Sequence, residues 1–310
     1  MVTAGNRPGT PEVIDGCQDH GVYCLNRPSR GWSPEGVMVL RFSGAGVSDV
    51  GRVRSHNEDS SFVGPYVVVV ADGVGGAAAG EIASATAAYS ASAVALARFG
   101  EPPERVLAEA YAAASTGVRK GVQRDLDRLG MATTLTMVVT DGRSVALGHV
   151  GDSRGYLFQR GELRQITTDH TYVQHLMDTG KLTPEARATH PWRNVVLRSV
   201  DGDPEAGGFD VLRLDVAPGD RLLLASTSAM RASGTRSVRP SLASEEGDEA
   251  AISLTQLALD AGGRDNITVA IADLIEGPQV VGDGRLLGAL QDPWNVVDPA
   301  AVRLSESRSA

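Results

Sequence analysis

The longest apolar run in the chain, residues 66–71, ends directly at Asp72 and Gly73. A short Val-rich run favours a buried β-strand and falls far short of the roughly 20 residues that span a bilayer. The run therefore predicts a strand that crosses a core and delivers a carboxylate where it emerges. The glycine after that carboxylate lets the backbone and a ligand approach each other closely.

Two other acidic residues flank strand-like segments in the same way. Asp152 follows residues 144–150, and Asp265 precedes residues 266–274, each with glycine nearby. One acidic residue at a strand end is usually a turn or cap residue, but three such residues point to a shared role. Clustered carboxylates and backbone carbonyls suit hard cations such as Mg²⁺ and Mn²⁺.

The rest of the pattern predicts an α+β fold with antiparallel sheets. Segments rich in Val, Leu, Ile and Thr predict strands at 37–42, 61–71, 133–140, 144–150, 155–166, 209–215, 220–225 and 266–274. Ala- and Glu-rich stretches predict helices at 80–98, 103–129 and 248–261, with short ones at 170–180 and 183–189. Because the long helices come as a pair and hairpins follow them, an alternating βαβ chain is disfavoured.

These signals place the folded domain at residues 37–275. Residues 1–36, with two expected reduced thiols at Cys17 and Cys24, predict a flexible N-terminal extension, and residues 276–310 predict a C-terminal tail. A net charge of −9 and a pI near 5.2 argue against nucleic-acid binding. With no apolar segment typical of a secretion signal or a membrane span, a cytoplasmic protein is expected.

A fourth polar segment, residues 48–60, places Arg54 four residues before Glu58. Beside an acidic centre, this arginine offers a phosphate clamp and the glutamate adds a carboxylate. VGRVRSHNEDS, VVVVADGVGGAAAGEIAS, GMATTLT, GHVGDSRGYL, TTDHT, HPWRNVVLRSV and GGRDNITV follow one another over about residues 43–275. In these motifs the chain resembles the bacterial branch of the PPM-type (type 2C) metal-dependent protein serine/threonine phosphatases. The resemblance implies a central antiparallel β-sandwich flanked by helix pairs, with a metal centre at one end.

The resemblance also implies a set of metal ligands for two Mn²⁺ or Mg²⁺ ions. Asp72 would bridge the two ions, and Gly73 would offer its backbone carbonyl to one of them. Glu58 would hold that same ion, largely through water, and Asp265 would bind the other. Asp152 resembles a residue that helps to hold a third, weaker ion in bacterial members.

Further residues take supporting roles in the same comparison. Arg54 would grip the substrate phosphate, while Asp59 and Asn266 would support the ligands from behind. Residues 171–194 correspond to a mobile flap beside the site, and His170 is expected to fix its base through a hydrogen bond. The implied reaction is direct attack of a metal-activated water on phosphoserine or phosphothreonine.

One position departs from the family pattern. After the strand predicted at 220–225, the family reads Ser-Asp-Gly, whereas this chain reads Ser226-Thr227-Ser228. Thr227 thus stands where a carboxylate would bind the same ion as Asp265. Because loss of supporting groups alone typically costs ~10–100-fold in metal affinity or activity, weakened activity is expected. The alternative is a catalytically impaired pseudophosphatase that binds phosphoproteins or a kinase as a regulator.

A second alternative rests on Gly151-Asp-Ser153-Arg-Gly155, which matches the nucleophile elbow of serine hydrolases. That motif requires a strand followed at once by a helix, whereas the residues after Gly155 predict a strand. A serine hydrolase is therefore disfavoured.

For the phosphatase, the expected partners are phosphorylated proteins and a cognate Ser/Thr kinase. No nucleic acid and no membrane are expected as partners, and a monomeric state is expected.

Overall fold

The computed structural model describes residues 37–74, 79–203, 208–231, 234–243, 246–281 and 284–298. The predicted N-terminal extension, with Cys17 and Cys24, lies outside the described residues. Among the helices that are described, none is long and apolar enough to cross a membrane.

Strands and helices follow one another in the order typical of an α+β domain. The strands are β1 (Met38–Asp49), β2 (Asp59–Val63), β3 (Val67–Val74), β4 (Ala132–Thr133), β5 (Leu135–Thr140), β6 (Val145–Val150), β7 (Arg154–Gln159), β8 (Glu162–Gln165), β9 (Asp210–Leu214), β10 (Arg221–Ala225), β11 (Ile267–Pro278) and β12 (Arg285–Gly288). The α-helices are α1 (Ala79–Ala97), α2 (Pro103–Arg124), α3 (Tyr172–Asp178), α4 (Thr227–Arg231), α5 (Gly234–Leu242) and α6 (Gly247–Asp260). Short 3₁₀ helices span Leu126–Arg128, Glu185–Thr189, Ala289–Gln291 and Pro293–Asn295.

The strands form two antiparallel sheets that pack face to face. One sheet has the order β1-β11-β10-β7-β8, and the other has the order β12-β2-β3-β5-β6-β9, with β4 paired to β3. Apolar side chains from both sheets meet in a common core. Helices α1 and α2 cover the outer face of the second sheet, and α4, α5 and α6 pack on the first. The predicted β-sandwich flanked by helix pairs is therefore confirmed.

Strand β3 shows why the apolar run 66–71 is continuous rather than alternating. Val67 and Val69 pack under the helices α1 and α2, whereas Val68 and Val70 face the other sheet. All four are fully buried, because the strand has a packed layer on each side. The strand thus leaves the core directly at Asp72.

Several predicted boundaries differ from the structure. The strand predicted at 61–71 is a hairpin, β2 and β3, turned at Gly64, whose N–H donates to the Val67 carbonyl at 2.9 Å. The strand predicted at 155–166 is likewise a hairpin, β7 and β8, and the helix predicted at 103–129 ends at Arg124. Helices α4 and α5 were not predicted.

Part of the predicted C-terminal tail packs onto the domain. Strand β11 runs to Pro278, and β12 pairs with β2 at the edge of the second sheet. Beyond β12, Leu290 and Val296 are buried against the helices α1 and α2. Residue 275 therefore does not mark the end of the packed region, because this segment supplies apolar side chains that the second sheet and its helices cover.

Candidate metal centre

A cleft of about 590 Å³ opens at one end of the sandwich. It collects the predicted site residues other than Asp59 from both sheets, and it is lined by Arg54, Glu58, Asp72, Gly73, Val74, Asp152, Arg193, Asn194, Val196, Thr227, Ser228, Ala258, Ala261, Gly263, Arg264, Asp265, Asn266 and Ile267. The fold thus brings together acidic residues that are distant in the sequence.

Pairing of β2 with β3 places two carboxylates side by side. Asp59 stands opposite Asp72 in the register of these strands. Two hydrogen bonds to Thr134 fix the backbone of Asp72. The Asp72 N–H donates to Oγ1 of Thr134 at 2.9 Å, and the Thr134 N–H donates to the Asp72 carbonyl at 2.9 Å. The position of this carboxylate is therefore set by the sheet and not by a free loop.

The carboxylates crowd one another. Burial, together with the charges of Asp59, Asp152 and Asp265, raises the pKa of Asp72 well above its ordinary value. Asp59 is fully buried, and burial raises its pKa too. Among the described residues no donor meets full hydrogen-bond geometry at either Asp59 oxygen, but the side chains of Thr268, Ser226 and Asp72 lie close enough to offset part of this rise in its pKa. Crowded, buried carboxylates of this kind are expected where a cation belongs.

Glu58 lies against a glycine pair that leaves no room for side chains. The Gly73 N–H donates to the Glu58 carbonyl at 3.1 Å. A Cβ on Gly73 would lie 2.2 Å from the Gly80 carbonyl oxygen, and one on Gly80 would lie 2.9 Å from Cδ of Glu58. The role of Gly80 was missed at the sequence level, since only the fold brings helix α1 against β3.

Asn266 holds the loop that carries Arg54 and Glu58. Its Oδ1 accepts the Glu58 N–H at 2.8 Å, and its Nδ2 donates to the carbonyls of Val50 and His56, both at 2.9 Å. One amide thus satisfies three backbone groups of the β1–β2 loop. Asn266 therefore fixes the backbone on which Glu58 is carried, and its support of a metal ligand stays a prediction.

Arg54 and Asp265 form an ion pair in the cleft. Nε of Arg54 lies 2.8 Å from Oδ1 of Asp265, and both side chains are half exposed. In the described ranges, no three Asp, Glu, His or Cys side chains converge closely enough to hold one metal ion. Asp265 would therefore have to exchange Arg54 for an ion.

The chemistry of the donor set nevertheless suits Mn²⁺ or Mg²⁺. Asp72, Glu58 and Asp265 supply carboxylate oxygens, and Gly73 adds a backbone carbonyl at the same cleft. These hard oxygen donors are the ligands that both ions prefer. Asp152 lies close enough to raise the pKa of Asp72, so it adds to the same negative field.

Thr227 lines the cleft, but its hydroxyl makes a hydrogen bond to the protein backbone. Its Oγ1 donates to the backbone carbonyl of Asp152 at 2.8 Å, and the side chain is buried. The contact ties the first residue of α4 to the turn between β6 and β7. At this position the chain has a structural hydrogen bond where a carboxylate would add negative charge.

Ser153 is not a nucleophile in this fold. Its side chain is fully buried, and its Oγ lies 2.8 Å from Oγ1 of Thr134. Strand β7 begins at the next residue, where a nucleophile elbow needs a helix. The structure thus removes the serine hydrolase alternative.

The base of the flap is fixed by His170, as expected. Its Nδ1 accepts the Gly151 N–H at 3.1 Å, and its backbone N–H donates to the Gly151 carbonyl at 2.7 Å. On the other side, its carbonyl accepts the Leu197 N–H at 2.8 Å. His170 thus joins both ends of the flap to the turn that carries Asp152.

Comparison with known proteins gives consistent matches. The family model described as Protein phosphatase 2C matches residues 52–227. The serine/threonine protein phosphatase PstP of Mycobacterium tuberculosis is 40% identical over 243 residues, which are 77% of this chain and 46% of that protein. The chain thus spans about half the length of this relative. A serine/threonine phosphatase stp of Listeria welshimeri is 34% identical over 246 residues, covering 73% of this chain and 93% of the relative.

Solved structures give the same result for the fold. The crystal structure of the M. tuberculosis phosphatase PstP/Ppp has a TM-score of 0.70 at 37% identity and covers 76% of this chain and 99% of that chain. The PstP catalytic domain in complex with two manganese ions has a TM-score of 0.66 at 37% identity, with the same coverage of both chains.

Proposed function

Because this chain belongs to the protein phosphatase 2C family, we propose that it is a metal-dependent phosphatase that hydrolyses phosphoserine and phosphothreonine in proteins. The observation that carries the proposal is the cleft itself, where Arg54 stands beside Asp72, Glu58 and Asp265. A relative with two manganese ions supports Mn²⁺ or Mg²⁺ as the cofactor. Two ions, with a third near Asp152, are part of the proposal.

Each cleft residue has a task that its position supports. Bound divalent ions would neutralise negative charge on the phosphate oxygens and activate the attacking water. Asp72, Glu58, Asp265 and the Gly73 carbonyl would hold them, with Asp59 and Asn266 behind.

Arg54 would bind the phosphate of the substrate. Its guanidinium pairs with Asp265 at the cleft, so it already lies where a tetrahedral anion would enter. A guanidinium offers two parallel donors to phosphate oxygens, a geometry that a lysine lacks. Val74, exposed in the same cleft, has no ionisable group, so its side chain cannot act as a general acid.

The proposal extends to the setting of the reaction. A phosphorylated protein is the substrate, and a Ser/Thr kinase that phosphorylates it is the partner enzyme. We place the protein in the cytoplasm, as a monomer. These points rest on the family and on the acidic sequence.

The proposal is tested by release of inorganic phosphate from a phosphothreonine peptide. The native protein should hydrolyse the peptide in the presence of Mn²⁺, and a chelator should abolish this hydrolysis. Asp72→Ala should lose at least 100-fold in kcat/KM, or about 3 kcal/mol of transition-state stabilisation, because it removes the carboxylate at the centre of the cleft.

Asp127→Ala is the matched control, since Asp127 is exposed in the 3₁₀ helix after α2. It should retain native turnover. Metal-independent hydrolysis, or equal activity in Asp72→Ala and Asp127→Ala, would contradict the assignment of this cleft.

A further inference from the structure

A second charged cluster lies beside the cleft, and it is centred on Asp169. Its carboxylate is buried and receives two hydrogen bonds from Arg154 on β7: Nε to Oδ1 at 2.9 Å and Nη2 to Oδ2 at 2.7 Å. Gln165 adds a donor at 3.3 Å to Oδ1. Burial alone would raise the pKa of Asp169, but the hydrogen bonds and charge of Arg154, with the charge of Arg187, lower it. The carboxylate is therefore ionised at neutral pH.

Arg187 reaches the same carboxylate from the flap. It lies in the 3₁₀ helix Glu185–Thr189, and its Nη2 donates to Oδ2 of Asp169. The Arg187 side chain is about 29% exposed, whereas that of Asp169 is about 1% exposed. One buried anion thus connects a surface segment of the flap to a core strand.

The cleft-lining part of the flap lies between two anchors. Arg193 and Asn194 line the cleft. After them, the Val195 carbonyl accepts the Tyr172 N–H at 2.9 Å, and Val196 bridges to Thr171. The flap base holds this stretch on its C-terminal side. On its N-terminal side, the Arg187–Asp169 ion pair fixes the start of the stretch, and the rings of His190 and Trp192 pack against Tyr172 at the flap base.

We propose that Arg187, acting through Asp169, is a positioning residue that holds Arg193 and Asn194 at the cleft and so sets the affinity for phosphorylated peptides. This inference rests on the proposed function. Arg187 does not line the cleft, so it acts through the flap and not on the phosphate. A small substrate that fills only the phosphate site should not depend on it.

Asp169 is bound by two arginines, Arg154 and Arg187, so one of them can be removed while the other still pairs with it. Since Arg154 already satisfies both oxygens of Asp169, removal of Arg187 leaves no unpaired buried charge. Arg187→Ala should therefore release the flap without disturbing the core. Replacement of Asp169 would instead strand Arg154, which is largely buried, and would confuse flap release with misfolding.

The test compares Arg187→Ala, Arg187→Lys and Lys181→Ala with the native protein. Lys181 is exposed in the same flap, so its loss removes an equal charge without touching Asp169. Hydrogen exchange of residues 185–196 and steady-state kinetics on a phosphothreonine peptide and p-nitrophenyl phosphate are measured.

Arg187→Ala should accelerate exchange in this stretch and raise KM for the peptide about tenfold, the loss expected for one charge-assisted contact. Its kcat, and its turnover of p-nitrophenyl phosphate, should stay within about twofold. Arg187→Lys should recover part of the KM, since it keeps the charge but loses the planar fork. Lys181→Ala should match the native protein in every measurement.

Two results would overturn the inference: exchange and peptide KM in Arg187→Ala equal to those of Lys181→Ala, or an equal fall in kcat for both substrates. If the native protein hydrolyses neither substrate, the proposed function fails. The anchor is then judged by hydrogen exchange alone, and unchanged exchange in Arg187→Ala overturns it.

Discussion

Thr227 determines how much negative charge the cleft carries. A threonine supplies no carboxylate, and the hydroxyl of Thr227 donates to the backbone carbonyl of Asp152. Asp72 still lies among Asp59, Asp152 and Asp265, whose charges together with burial raise its pKa. We therefore expect the remaining carboxylates to attract a divalent cation. In the proposed function, the centre would bind metal more weakly and would still turn over substrate.

His149, beneath the flap base, makes stability depend on pH. Burial, followed by the charge of His170, lowers the pKa of His149 to about 4. The unfolded state takes up a proton below about pH 6.5 while the folded state does not, so stability falls as the pH drops from 6.5 towards 4. Between pH 7.5 and 5 this single group should cost about 2 kcal/mol.

Urea unfolding of the native protein and His149→Gln at both pH values isolates this contribution. The substitution lowers stability at each pH, because it disturbs the contacts of His149 with Thr136 and the Thr168 carbonyl. The expected difference lies in how steeply the free energy of unfolding falls with pH, and this fall should be shallower in the variant. Equal losses between pH 7.5 and 5 in both proteins would show that His149 does not carry the effect.

Individual site residues were partly predictable from sequence. The acidic residues at strand ends, such as Asp72 and Asp265, indicated a shared site, and the structure brings them to one cleft. The Arg54–Asp265 ion pair and the Thr227 hydrogen bond were not predictable. Both depend on distances between loops from different sheets, which spacing along the chain does not encode.

At the scale of elements, the hairpin of β2 and β3 positions Asp72. The apolar run predicted the buried strand, because a strand covered on both faces needs apolar residues at every position. The turn at Gly64 was missed, since the residues before it are also buried and continue the strand pattern. Helices α4 and α5 were missed for a different reason: they are short, and α5 contains Pro240.

The segment after β12 should contribute to stability as part of the domain. Leu290 is about 2% exposed and packs in the core beneath α1 and α2, whereas Trp294, four residues later, is 89% exposed. Leu290→Ala should lower the free energy of unfolding by about 2–4 kcal/mol, because it leaves a cavity. Denaturant unfolding measures the loss.

Trp294→Ala in the same segment is the control and should change stability by less than about 0.5 kcal/mol. Its larger side chain makes the comparison strict, since size alone would predict the opposite order. If both substitutions were neutral, residues 285–298 would be a tail that rests on the domain without stabilising it.

At the scale of the whole molecule, the cleft is built by the packing of the two sheets. Asp59 and Asp72 come from the second sheet, whereas Asp265 and Thr227 adjoin β11 and β10 of the first. Repulsion among these carboxylates opposes the packing that brings them together, and a divalent cation between them would relieve it. We therefore expect metal binding to stabilise this arrangement of the two sheets.

The most direct measurement of the central claim is a Mn²⁺ titration of phosphothreonine-peptide hydrolysis by the native protein and Thr227→Asp. Both proteins should hydrolyse the peptide, and the native protein should need ~10–100-fold more Mn²⁺ for half-maximal activity, because it lacks one carboxylate. If the native protein releases no phosphate at any Mn²⁺ concentration while Thr227→Asp is active, the chain is not a phosphatase but a pseudophosphatase disabled at one residue.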